Sequence, residues 1–78
     1  MKFHERLKLV RKSRGKTQQF MADNLEINIR HYQKYESGEV WPMLDKLIKI
    51  ADLLDCSTDY LLCRDQWLEY HEDHGKSS

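Results

Sequence analysis

Three side chains near the middle of the chain, Ile29, Arg30 and Lys34, have the types and spacing to read the edges of base pairs. They follow Asn28, a residue that favours the position just before a helix. Ile29 and Arg30 then fall in the first helical turn, and Lys34 returns to the same face one turn later. In a helix laid into a major groove, the N-terminal residues meet the bases first. Arg30 can offer a bidentate fork to guanine O6 and N7, and Ile29 can press on a thymine methyl. Lys34 suits a base or a phosphate. The free backbone N–H groups at the same helix start attract phosphate.

Presenting such a helix takes a second one behind it, and the stretch Thr17–Gly38, TQQFMADNLEINIRHYQKYESG, reads as that pair. Thr17 is a natural N-cap for a helix running to about Leu25, Asn28 caps the next, and Gly38 ends it near Ser37. Ala22 falls where the two helices must approach closely, and Leu25, Ile27, Tyr32 and Tyr35 seal the pair onto a core. Before the pair, Phe3, Leu7 and Val10 repeat at helical spacing from about Phe3 to Ser13, with Gly15 supplying a left-handed stop. After it, Pro42 marks the entry to a helix whose Leu44, Leu47, Ile48, Ala51 and Leu54 form one apolar stripe. Ser57 caps a short fifth helix containing Tyr60, Leu61 and Leu62. No segment alternates with period two. The expected fold is all-α, with five helices in one domain over residues 1–64. Residues 65–78 are expected to form a C-terminal tail, in which Trp67, Leu68 and Tyr70 extend a short helix and HEDHGKSS is disordered.

Seventy-eight residues make one domain at most, with room for a compact bundle but not for a large ligand cavity beside it. No run of about 18 apolar residues is present and the N-terminus MKFHERLKLV is too charged for a signal peptide, so the expected location is cytoplasmic, with no membrane partner. Cys56 and Cys63 form no disulfide framework and read as small buried apolar residues. The net charge of zero conceals a segregation. Residues 1–38 carry nine Lys/Arg against four Asp/Glu, and residues 39–78 carry four against nine. The basic half, which holds the helix pair, is suited to phosphates.

Taken in order, FHERLKLVRKSRG, TQQFMA, YQKYESGE, the proline at 42, LDKLIKIADLL and STDYLL resemble the Cro/repressor-type helix-turn-helix proteins, also called the xenobiotic-response-element family, over about residues 3–64. The resemblance implies a lambda-repressor-like five-helix domain and a sequence-specific DNA-binding regulator. By position, Gln18 matches a glutamine that holds a phosphate and braces the recognition helix, and Asn28 matches a phosphate-contacting N-cap. Ile29, Arg30 and Lys34 match the residues that enter the major groove, with His31 close by. Arg11 and Glu36 match a buried salt bridge between the first helix and the end of the third. Family analogy places a dimer surface near Tyr60, Leu61, Arg64, Trp67 and Leu68, where ordinary packing under the core is an equal reading.

The chain also departs from that pattern. Glu26 stands where glycine is usual at the helix–helix turn, which implies strain of roughly 1 kcal/mol if the backbone is left-handed there. Val40 and Trp41 replace basic phosphate contacts, with Trp41 placed either over the core or against a sugar edge. Leu9 and Phe20 occupy positions usually polar, and two such residues on neighbouring helices would suit a protein contact. The leading expectation is a transcriptional repressor binding double-stranded DNA as a homodimer, because one helix reads too few base pairs for useful specificity. The alternative is an antitoxin or protein-interaction module, which binds a regulatory protein partner as well as DNA. An enzyme is not expected: the chain has no phosphate loop and no nucleophile elbow. No small-molecule substrate, cofactor or metal is expected either, since His71 and His74, though spaced i, i+3, lack apolar anchors to fix a metal site.

Overall fold

The computed structural model describes residues 1–63, which form five helices and no strand. In chain order they are α1 (Phe3–Ser13), α2 (Gln18–Leu25), α3 (Ile29–Ser37), α4 (Leu44–Leu54) and α5 (Thr58–Leu61). The caps explain the boundaries. Thr17, Asn28 and Ser57 each accept a hydrogen bond from the backbone N–H three residues on, at 2.9, 2.8 and 3.0 Å, which satisfies one donor that the helix start leaves open. At the head of α1 the roles reverse, and Glu5 Oε1 accepts from the backbone N–H of Lys2 at 2.9 Å. Gly38 ends α3 in the left-handed region at φ +86°, and a Cβ there would lie 2.8 Å from the His4 ring. The position therefore needs glycine for two reasons, one of torsion and one of space.

Around these boundaries α2 packs on α3 and α4, α1 packs on α3 and α5, and α4 closes on α5. Leu7, Met21, Ala22, Leu25, Tyr32, Ile50, Leu54 and Leu61 are fully buried, and they draw every helix into one core. Ala22 admits the close approach of α2 and α3. Three cationic side chains hold helix ends from outside their own element. Lys46 Nζ donates to the Leu25 carbonyl at the end of α2 (2.9 Å), Arg14 Nε to Leu54 at the end of α4 (2.7 Å), and Arg6 to Tyr60 in α5 (2.9 Å). Each supplies a donor to carbonyls that the helix cannot satisfy itself, at the end where its dipole is negative.

Two expectations from the sequence are corrected here. In α4 the buried stripe is Leu47, Ile50, Ala51 and Leu54, while Leu44 and Ile48 are 71% and 48% exposed. At about 100° per residue the expected stripe and the buried one span similar arcs, offset by part of a turn, and the contacts of α4 with α2 and α5 select the side that carries Ile50. Cys56 and Cys63 are half-buried free thiols, not buried core residues, and desolvation pushes the Cys56 thiol pKa up, away from reactivity. Trp41 is 65% exposed and stacks on Phe3, with ring centroids 4.9 Å apart, so it covers the edge of the core. A half-open recess of about 390 Å³ lies beside that stack, under Tyr35.

Among the described residues three other than glycine lie in the left-handed region, Glu26, Asp55 and Cys63, and Glu26 at φ +58° forms the α2–α3 turn. Relief of strain there should exceed the extra flexibility that glycine gives the unfolded chain, so Glu26→Gly should stabilise the domain by about 0.5–1 kcal/mol. Thermal melting should show a rise of a few degrees. A melting temperature unchanged or lowered would mean that the Glu26 side chain contributes more than its backbone costs.

Candidate nucleic-acid interface

The α3 helix has two faces with different work. Tyr32, Tyr35 and Glu36 point inward and are buried; Arg30, His31, Gln33, Lys34 and Ser37 are exposed, and Ile29 is half-buried against the core. A shallow groove of about 350 Å³ runs along the outer face, lined by Arg30, Gln33, Lys34, Ser37 and Glu39. Arg30 and Lys34 make no side-chain hydrogen bond or ion pair among the described residues, so both cations are available to a ligand. His31 turns partly aside, with its ring edge-on to Tyr35 at 5.0 Å. Asn28 has committed its Oδ1 to the cap and keeps its amide donors.

The inner face is organised by one carboxylate. Arg11 Nε donates to Glu36 Oε2 at 2.6 Å and its Nη2 donates to Oε1 at 3.2 Å, the bidentate pairing that suits guanidinium and carboxylate. The Tyr32 hydroxyl donates to Oε2 at 2.5 Å and Gln18 Nε2 to Oε1 at 3.1 Å. Four donors from α1, α2 and α3 thus occupy the two oxygens, which is about as many as a carboxylate accepts. Arg11 also donates through Nη1 to the Lys16 carbonyl at 2.8 Å, which fixes the α1–α2 turn. Burial alone would raise the Glu36 pKa, but the hydrogen bonds from Arg11, Tyr32 and Gln18 outweigh it and hold the carboxyl below its ordinary value. Arg11 moves up, chiefly through its bond to Glu36, and the Tyr32 phenol rises well beyond its usual range through burial and then that same carboxylate.

Gln18 therefore braces α3 from behind, and it does so toward the surface as well: its Oε1 accepts from Gln33 Nε2 at 3.2 Å. Sequence reasoning passed over Gln33. The signal was its position four residues after Ile29, on the same face as the residues singled out.

The proposed dimer surface fares differently. Leu61 is fully buried, so it anchors α5 in the core and offers nothing to a partner; this corrects its inclusion there. Tyr60 is partly exposed beneath the Arg6 guanidinium, 4.3 Å from the ring centroid. Arg64, Trp67 and Leu68 lie outside the described residues. Of the other apolar pair, Leu9 is exposed, whereas Phe20 packs against the core under Lys16 Nζ, 4.8 Å from its ring. Among the described residues no cluster of His, Cys, Asp or Glu could hold a metal, and no helix is long and apolar enough to cross a membrane.

A helix-turn-helix family model matches residues 7–61. The chain is 50% identical over 64 residues to the cryptic phage CTXphi transcriptional repressor RstR of Vibrio cholerae, covering 82% of this chain and 57% of that protein. It is 50% identical over 60 residues to a regulator derived from prophage SPbeta, YonR of Bacillus subtilis, covering 77% of this chain and 56% of that one. At 27% identity, all 78 residues align with 38% of the transcriptional activator BcrR of Enterococcus faecalis. The chain thus spans little more than half the length of the first two relatives.

Because Glu36 receives four donors, Glu36→Ala leaves the Arg11 charge, the Tyr32 hydroxyl and the Gln18 amide without their acceptor. Breaking a buried pair from one side costs about 3–5 kcal/mol, a large share of the stability of so small a domain. Thermal melting should show a steep fall, and a change within a degree would refute the assignment. The pH dependence follows from the lowered carboxyl pKa. A group whose folded pKa lies below its unfolded value of 4.5 contributes stability that is complete above that value and is lost as pH falls through the folded pKa. Denaturant titrations at descending pH should therefore show stability declining below pH 4.5, with a shallower decline in Glu36→Gln than in the unaltered protein.

Proposed function

Because this chain belongs to the Cro/repressor-type helix-turn-helix family, we propose that it is a sequence-specific DNA-binding transcriptional regulator, acting as a repressor on a palindromic operator that it occupies as a homodimer. The observation that carries this reading is the construction of α3. Its inner face is pinned by Glu36, and its outer face offers Arg30 and Lys34 uncommitted along a groove that is open to a ligand. Arg30 is the reader of a guanine edge and Ile29 the contact to a thymine methyl. His31 extends the same face. Asn28 and Gln18 hold phosphates at the starts of α3 and α2, where free backbone N–H groups favour an anion.

Repression is the favoured sign because the phage relative is a repressor by name; the activator relative is less similar and covers less of its own length. Dimerisation is favoured by reach: one helix of this kind contacts a few base pairs, and two half-sites related by protein symmetry multiply the specificity. Residues 1–64 serve as the DNA-binding domain in this reading. The protein-partner alternative loses Phe20, which is taken up by Lys16 and the core.

In-vitro selection from a random duplex library is the direct test. The expected product is a palindromic consensus with half-site centres about 10 bp apart, one helical turn, and two chains per duplex by sedimentation. A stable one-to-one complex on an asymmetric site would contradict the dimer, and an unenriched library would contradict sequence-specific binding.

The two cations of the outer face should separate by their failures. Arg30→Ala should cost about 1–3 kcal/mol on the selected site and relax one position of each half-site. Lys34→Ala should lower the slope of log affinity against log salt by about one with the base preferences intact if it holds a phosphate, and should alter a base preference if it reads one. Titrations on single-base variants at several salt concentrations distinguish these. Equal weakening of specific and random DNA by Arg30→Ala would remove α3 as the reading element.

A further inference from the structure

Gln33 completes a chain of hydrogen bonds that starts in the core and ends in the outer groove, and the chain fixes which way its amide faces. A carboxylate can only accept, so Glu36 Oε1 obliges Gln18 to present its NH₂ group inward, at 3.1 Å. With its nitrogen so placed, Gln18 turns Oε1 toward the surface. An amide oxygen also can only accept, so Gln33 must present its NH₂ group to Gln18, at 3.2 Å. What remains facing the groove is Gln33 Oε1 as an acceptor, with one N–H of the same amide beside it. A free glutamine on a surface could present either end by a half-turn about its last torsion. Here that half-turn would set oxygen against oxygen, unless Gln18 turned as well and set its own oxygen against the Glu36 carboxylate.

We propose that Gln33 is a further base-reading residue, whose amide is held in one orientation by the Glu36–Gln18 chain so that it selects adenine. This rests on the reading of the outer α3 face as the DNA-binding surface. In the major groove adenine shows an N6 amino donor next to the N7 acceptor, and an amide with its oxygen outward and one N–H alongside matches both. Guanine presents two acceptors there and repels that oxygen; thymine presents an acceptor and a methyl group. Cytosine offers a donor to the oxygen but no acceptor to the N–H. Gln33 stands four residues after Ile29 and next to Lys34, in the groove that Arg30 and Ser37 also line, so the base it meets neighbours theirs.

The experiment compares base preferences at every position of the selected site for the unaltered protein, Gln33→Ala and Gln18→Ala. Since Gln33 is exposed, its replacement leaves the core intact, and melting of each variant checks the fold. The unaltered protein should prefer adenine at one position of each half-site by about 5- to 150-fold, the range of one good bidentate pair. Gln33→Ala should abolish that preference and no other. Gln18→Ala should weaken all sites through its phosphate, and should also cut the adenine preference at the Gln33 position at least threefold, because the freed amide can turn. An unchanged preference matrix in Gln33→Ala, or a uniform loss on every sequence, would overturn the reading role. If Gln33→Ala instead removed a preference for guanine, thymine or cytosine, the fixed orientation would be overturned. An adenine preference untouched by Gln18→Ala would overturn the orienting chain. Failure of the unaltered protein to select any sequence would instead defeat the function on which the inference stands.

Discussion

The Glu36 carboxylate is the point at which three helices of this small domain are tied together. Arg11 reaches it from α1, Gln18 from the first residue of α2, and Tyr32 from one turn earlier in α3. A buried charge with fewer partners would carry a desolvation penalty of several kcal/mol, and the full set of donors is what makes its burial tolerable. Well-packed apolar residues of similar volume often serve stability as well or better. What they cannot supply is direction: hydrogen bonds set where α3 sits and how far it is turned about its axis, whereas apolar contacts tolerate sliding.

The same accounting changes the meaning of the charge distribution. Nine Lys/Arg in the first 38 residues suggested a face for phosphates, yet three of them are occupied in holding the fold. Arg11 serves Glu36 and the α1–α2 turn, Arg14 holds the end of α4, and Arg6 holds α5 and lies over Tyr60. The cations left for a polyanion are mostly lysines, together with Arg30. This division follows from chemistry. Arginine's fork can satisfy several carbonyl or carboxylate oxygens at once, while lysine is a strongly hydrated point charge that suits a solvated phosphate.

Much of this was legible in the chain. Helix boundaries were readable because they are set by local rules: Thr17, Asn28 and Ser57 at the starts, Gly38 at an end where nothing larger fits. The left-handed turn at Glu26 was readable through the resemblance, which puts a residue that is usually glycine at that point of the turn. Less legible was which side of α4 faces inward. Leu44 and Ile48 are as apolar as Leu47 and Ile50, and the choice depends on where α2 and α5 lie, which periodicity in α4 alone does not contain. Leu61 was misplaced for a related reason, as a four-residue helix has no face pattern to read. The place of Gln33 on the outer face was readable from its spacing, but its hydrogen bond to Gln18 was not, because the partner is fifteen residues away.

The two faces of α3 link stability to readout more tightly than a larger protein would. Each residue turns a helix by about 100°, so inward Tyr32 and Glu36 and outward Gln33 and Lys34 differ only by their order along nine residues. A rotation that eased the inner face would swing every outward side chain with it. In a large core many contacts share the task of preventing this. Here the inner face of α3 is Tyr32, Tyr35 and Glu36, and of these only Glu36 is held by partners on two other helices through directed bonds. The orientation of Arg30 and Lys34 toward a ligand is therefore a property of Arg11 and Gln18 as much as of α3 itself. A substitution at Gln18 would present as a defect in recognition before it presented as loss of the fold, whereas one at Arg11 would break the buried pair and lower stability as well.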